Sequence, residues 1–223
     1  MSRVAALVAC AGFVFFSGCH SMPPERTVSD CGIPIHCDME TVSEDDLGVI
    51  NSCCAYLPPD VQNSIEAIAI YKRDQHHVGR SYGHAYNSII CLNSVTLNTF
   101  WHEAAHTYHY YLDEEFDNQF TNEWLEAAGD VVYSCFVCSR PSQGVLTKYG
   151  GTEYAEDVAE WMSQCYLFYF AAKNHQLNEY REAFMRVMID KDSDPRYRKK
   201  LVLLLKWGFI SQDVFNSINP LLP

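Results

Sequence analysis

Apolar and polar positions follow two rhythms along this chain, and the changes between them mark its elements. Ile65 to Tyr71 reads Ile-Glu-Ala-Ile-Ala-Ile-Tyr, a short β-branched run that predicts a strand. Ser88-Ile-Ile-Cys-Leu-Asn93 predicts a second strand. Asp74 to Asn87 between them is polar, contains glycine and reads as a connection. At Val95 the period changes. Val95, Leu97, Phe100, Trp101, Ala104, Ala105, Tyr108 and Leu112 recur at helical spacing, which predicts a helix over 95–112 that is at least half buried. Residues 121–137 and Ala155 to Asn174 continue in that rhythm, with a Pro/Gly-containing loop from Arg140 to Gly151 between them. From Gln176 onward two or three short helices are expected. Asp194-Pro195 starts one of them, and the apolar run Leu201 to Leu205 suits a buried helix face. Residues 20–58 carry neither rhythm clearly. They read as a cysteine-bearing, loop-rich lead-in, with Pro23-Pro24 as a tether and Pro58-Pro59 as a boundary. The expected class is α+β. A small mixed sheet and the helices of 60–174 form the core, a lead-in at 19–59 precedes it, and helices over 175–223 complete it.

The candidate chemistry lies on the first long helix. Residues 102–106 read His-Glu-Ala-Ala-His. One helical turn separates His102 from His106, so both imidazoles share a face and can take two corners of a tetrahedral metal site. Glu103 adjoins the first of them, where a carboxylate can take a proton from an attacking water. Burying two histidines in an apolar helix without partners costs free energy, and a metal is one way to satisfy them. A third ligand must come from further along. Glu126 lies twenty residues after His106 with Asp130 four beyond it, and Glu156 lies in Tyr154-Ala-Glu-Asp-Val-Ala-Glu160. His109 shares the motif face and reads as a packing or supporting residue.

The N-terminal end changes the picture of where this chemistry takes place. Met1-Ser-Arg is a short positive start, and Val4 to Phe16 is an apolar run too short to span a bilayer as a helix. It ends Phe16-Ser17-Gly18-Cys19, which resembles a bacterial lipobox with Phe16 where Leu is usual. Residues 1–18 are therefore expected to be a lipoprotein signal peptide, and Cys19 the lipid-anchored first residue of the mature chain. His20 is not the Asp that commonly retains lipoproteins at the inner membrane, so the expected location is the outer membrane of the envelope. Eight further cysteines, Cys31, Cys37, Cys53, Cys54, Cys91, Cys135, Cys138 and Cys165, suit disulfides in an oxidising compartment. A Cys31–Cys37 bridge would close a small loop, and the adjacent Cys53 and Cys54 should pair with two different partners. The net charge of -12 argues against nucleic acid as a partner, because phosphates need a basic surface. It also leaves membrane attachment to the lipid alone.

The segment Lys148-Tyr149-Gly-Gly-Thr-Glu-Tyr-Ala-Glu-Asp-Val-Ala-Glu160 resembles the third-ligand segment of anthrax lethal factor-type peptidases and of zinc-binding bacterial lipoprotein metallopeptidases. Val158 stands where Phe is usual there, and the resemblance covers roughly residues 60–170. It implies a zincin-like (gluzincin-like) domain holding one Zn2+ through His102, His106 and Glu156, with Glu103 as general base. It further implies that Glu160 orients a ligand and that the Tyr149 phenol donates to the developing oxyanion. The rival Glu126–Asp130 pair has thermolysin-type spacing. The third histidine of a metzincin would fall at Leu112, which excludes that class. In zincins a strand like 88–93 forms the sheet edge that pairs with an extended peptide, which binds backbone without reading sequence. The implied activity is endopeptidase hydrolysis of a protein or peptide substrate. An inactive zincin-fold lipoprotein that binds a partner at the cell surface is the alternative.

Overall fold

The computed structural model describes residues 22–71, 82–134, 144–176 and 194–221. The leader, Cys19, Cys135, Cys138, the end of the 121–137 stretch and most of the 74–87 connection lie outside the described residues.

The molecule is α+β with a small mixed sheet. Strands β1 (Glu25–Val28), β2 (Pro34–Cys37), β3 (Ala67–Ile70), β4 (Gly83–Tyr86) and β5 (Ile89–Leu92) lie in the order β1-β2-β3-β5-β4. β2, β3 and β5 run parallel, and the antiparallel β1 and β4 flank them. Central β3 is buried at all four positions, as an Ala-Ile-Ala-Ile run without alternation requires. The described helices are α1 (Glu44–Tyr56), α2 (Pro59–Asn63), α3 (Leu97–Glu115), α4 (Gln119–Ala128), α5 (Tyr154–Lys173), α6 (Pro195–Lys206) and α7 (Gln212–Ile218), and α3 packs on the sheet at β4 and β5.

α3 is the axis of the fold. Thr96 caps it, its hydroxyl accepting from the Thr99 amide at 3.1 Å. Every residue from Phe100 to His109 is buried, because α3 packs along α5 on one side and against β4 and β5 on another. Trp101 is fully buried, stacks on Tyr166 of α5 at 5.3 Å between ring centroids, and donates its indole N–H to the Cys53 carbonyl of α1. Large aromatic area of this kind holds α3 and α5 in fixed register.

Three expectations are corrected. The lead-in is not loop-rich: β1, β2 and α1 occupy it, and β2 pairs with β3, so the sheet runs across the expected boundary near residue 59. Ser43 starts α1 by accepting from the Asp46 amide, and Glu44, Asp45 and Asp46 favour its first turn through the helix dipole. The strand at 88–93 is not the sheet edge. It is β5, interior between β3 and β4, and among the described residues β4 at Gly83–Tyr86 ends the sheet on that side. The turn at Asn87, which adopts φ 50°, folds part of the expected connection back as this strand. The helix expected over 121–137 ends at Ala128, where Gly129 takes φ 63° and its amide bonds the Leu125 carbonyl.

All six cysteines among the described residues are free thiols. Cys37 does not bridge to Cys31; it is fully buried in β2, and burial raises its thiol above the ordinary value. No described helix is long and apolar enough to cross a membrane.

Candidate metal centre

Three elements build the site. α3 presents His102 and His106 one turn apart, and both are buried. The first turn of α5 brings Glu156 to them from 54 residues beyond His102. The loop before α5 supplies Tyr149. His102 Nε2 lies 2.9 Å from Glu156 Oε2, His106 Nε2 lies 3.3 Å from the same oxygen, and the two Nε2 atoms are 3.2 Å apart. These three atoms form a nearly equilateral triangle. Tetrahedral coordination at about 2.0–2.1 Å places ligand atoms roughly 3.3 Å apart. The triangle therefore has the size of one face of such a site, and three converging lone pairs call for a cation or protons at its centre. His102, His106 and Glu156 could hold a metal ion.

The surroundings support that reading. His102 turns its other nitrogen, Nδ1, to Glu160 Oε1 at 3.1 Å, the carboxylate–histidine relay that fixes a ligand's ring and tautomer. Burial alone would lower the His102 pKa, but the Glu156 and Glu160 carboxylates outweigh it and raise the value well above normal. Burial likewise opposes ionisation of Glu156, yet the two histidines hold its carboxyl below the usual carboxylate range. Glu103 is 5% exposed, and burial pushes its carboxyl upward against the pull of both histidines. Tyr149 donates its hydroxyl to Glu156 Oε1 at 3.0 Å, and its ring lies over His102 with centroids 5.7 Å apart. Burial and the Glu156 charge raise its phenol.

The sequence-predicted residues thus meet, with two exceptions among the candidates. Glu126 is exposed on α4 and stands apart from the cluster. Asp130 turns away to Arg196. His109 is buried as expected of a packing residue; its Nε2 lies 2.7 Å from the Thr121 hydroxyl, and its ring meets Phe120 and Tyr154.

Sequence reasoning missed two features. The first is the cleft of about 270 Å³ above the triangle, walled by Gly83, His84 and Ala85 of β4 on one side and by Tyr110, Glu153 and Tyr154 beyond the histidines. Gly83 makes room here. A Cβ on it would sit 2.8 Å from Thr99 Cγ2 and 3.0 Å from Glu103 Oε1. The second is the anchor of α5. Asp157, next to Glu156 and fully buried, accepts from Lys200, from the Tyr133 hydroxyl at 2.8 Å and from the Trp124 indole at 3.2 Å. Lys200 is itself fully buried and donates to the Gly144 carbonyl at 2.6 Å. A signal was present, since Lys200 falls on the stripe Tyr197, Leu201, Leu204 that α6 buries.

No protein-family model, curated protein or solved structure matches the chain.

Proposed function

We propose that the chain is a zinc-dependent endopeptidase with a zincin-type active site. The observation that carries this reading is the triangle of His102, His106 and Glu156 donor atoms, built on a His-Glu-x-x-His helix and opening into a cleft beside a sheet edge. Nitrogen and carboxylate donors at tetrahedral spacing suit zinc, with one position left for a reactant. Bound zinc would supply a Lewis acid that polarises a peptide carbonyl and makes water easier to deprotonate.

The side chains around it divide the remaining work. Glu103 takes the proton from the attacking water and returns it to the leaving amine. Its carboxylate is held against β4 by the space that Gly83 leaves. Tyr149, at the cleft wall, donates its O–H to the oxyanion as the carbonyl becomes tetrahedral. Glu160 keeps the His102 ring in orientation. An extended substrate lies along β4, the last strand of the sheet order and a wall of the cleft, where recognition through backbone groups does not depend on sequence. The lipobox-like Cys19 would tether this domain to the envelope, and a membrane-bound fraction lost on Cys19→Ser tests that part.

The deciding experiment compares four proteins for bound zinc and for hydrolysis of an unfolded protein followed by mass spectrometry. The parent chain should carry one zinc and cleave. Glu103→Gln should keep zinc and lose roughly 100- to 10,000-fold in rate. Glu156→Ala should lose zinc, and Glu126→Ala should keep it. Zinc retained by Glu156→Ala but lost by Glu126→Ala would replace the ligand set. Undiminished hydrolysis by zinc-loaded Glu103→Gln would remove Glu103 from the reaction, and a zinc-loaded parent without hydrolysis would favour a binding lipoprotein.

A further inference from the structure

The turn of the N-terminal hairpin docks on α1 through a backbone bond, and two thiols lie beside that bond. The turn between β1 and β2 is closed by Ser29, whose hydroxyl accepts from the Ile33 amide at 3.0 Å, with Gly32 at φ 86°. The Asp30 amide then donates to Asn51 Oδ1 of α1 at 2.9 Å. Cys31 Sγ lies 3.1 Å from the Ser29 hydroxyl, and both groups lie close enough to the Cys54 thiol to act on it. Asn51 and Cys54 are three residues apart on one face of α1, so the turn docks on that face through a backbone bond and a thiol pair together. Cys31 is partly exposed, whereas Cys54 is 1% exposed.

The other described cysteines are placed differently. Cys53 and Cys165 are fully buried in the core, Cys37 lies fully buried in β2, and Cys91 is buried in β5. We propose that Cys31 and Cys54 form a disulfide that staples the β1–β2 hairpin to α1 when the protein meets an oxidising thiol–disulfide couple. The Cys31 thiolate, the accessible one, attacks a low-molecular-weight disulfide such as oxidised glutathione and displaces one glutathione thiolate. Cys54 then attacks Cys31 Sγ in the mixed disulfide and displaces the second. Two protein thiols and one glutathione disulfide thus become one protein disulfide and two glutathione molecules, the two thiol protons leaving with them. The cross-link closes the segment 31–54, and closing a loop of this length restrains the unfolded chain. Its reach extends to α3, because the neighbouring Cys53 carbonyl holds the Trp101 indole. This inference does not depend on the metal reading.

The test uses the full chain equilibrated in glutathione redox buffers, then alkylated, digested and mapped by mass spectrometry without reduction. A peptide containing Cys31 should appear joined to the one carrying Cys53 and Cys54, and reduction should separate them. Cys53→Ser assigns the partner: it should keep the link through Cys54. Oxidation should also raise the denaturation midpoint of Cys53→Ser, and Cys31→Ser should show no such redox dependence at this site. A Cys31 that stays alkylatable in buffers that oxidise the parent's other thiols would overturn the proposal. So would Cys31 joined to Cys37 or another cysteine, or a link that Cys53→Ser abolishes.

Discussion

Tyr149 and Gly83 both line the cleft, and neither belongs to the His102, His106 and Glu156 cluster. Tyr149→Phe removes a phenolic donor and almost no volume. Losing one donor to an oxyanion costs about 3 kcal/mol, roughly a hundredfold in rate. Turnover should fall by that order while zinc stoichiometry stays at the parent's value; unchanged turnover would leave the hydroxyl only its bond to Glu156. Gly83 acts by absence. In Gly83→Ala the new methyl meets Thr99 Cγ2 at 2.8 Å, Glu103 Oε1 at 3.0 Å and the Cys91 carbonyl at 3.1 Å, so β4 and the start of α3 must part and the Glu103 carboxylate, in the same contact, is displaced with them. The expected outcome is a lowered kcat with metal retained. Parallel kinetics and metal analysis would check it, and a variant with parent kcat would show that Glu103 tolerates displacement.

Among the elements, α5 carries the most information per turn. Its first turn points Glu156 at the two histidines and Asp157 at Lys200, Tyr133 and Trp124. The Asp157–Lys200 pair is fully buried, so removing one partner leaves an uncompensated charge in the core. Lys200→Met should cost about 3–5 kcal/mol by equilibrium denaturation, with Asp157→Asn in the same chain recovering part of it. A loss below 1 kcal/mol would mean that Tyr133 and Trp124 suffice to hold Asp157. The elements also differ in how far they could be read beforehand. α3 and α5 were legible because long runs with helical spacing leave little choice. β1 and β2 were hidden because each is four residues long and Gly32 and Pro34 read as a loop, although Ile33, Ile35 and Cys37 alternate at the strand period and are all buried. β4 was hidden because Gly83-His-Ala-Tyr has little strand propensity until β5 pairs with it.

At the scale of the whole molecule, the legible part of the site was the part set by local geometry. His102, Glu103 and His106 share a short helical motif, whereas Glu156 was singled out over Glu126 only by the resemblance of segment 148–160. The buried Lys200, the cleft wall at Gly83 and the contact of Cys31 with Cys54 join residues far apart in the chain, and no local rhythm encodes such meetings. One of these meetings has a thermodynamic corollary. Because Asp157 is anchored by protein groups alone, the turn that carries Glu156 has its position whether or not an ion is present. Zinc entering the proposed site would then exchange ligands in a standing receptor, unlike small zinc domains in which binding energy is folding energy. Chelation should therefore leave the circular dichroism spectrum intact, and added zinc should restore activity without a slow refolding phase.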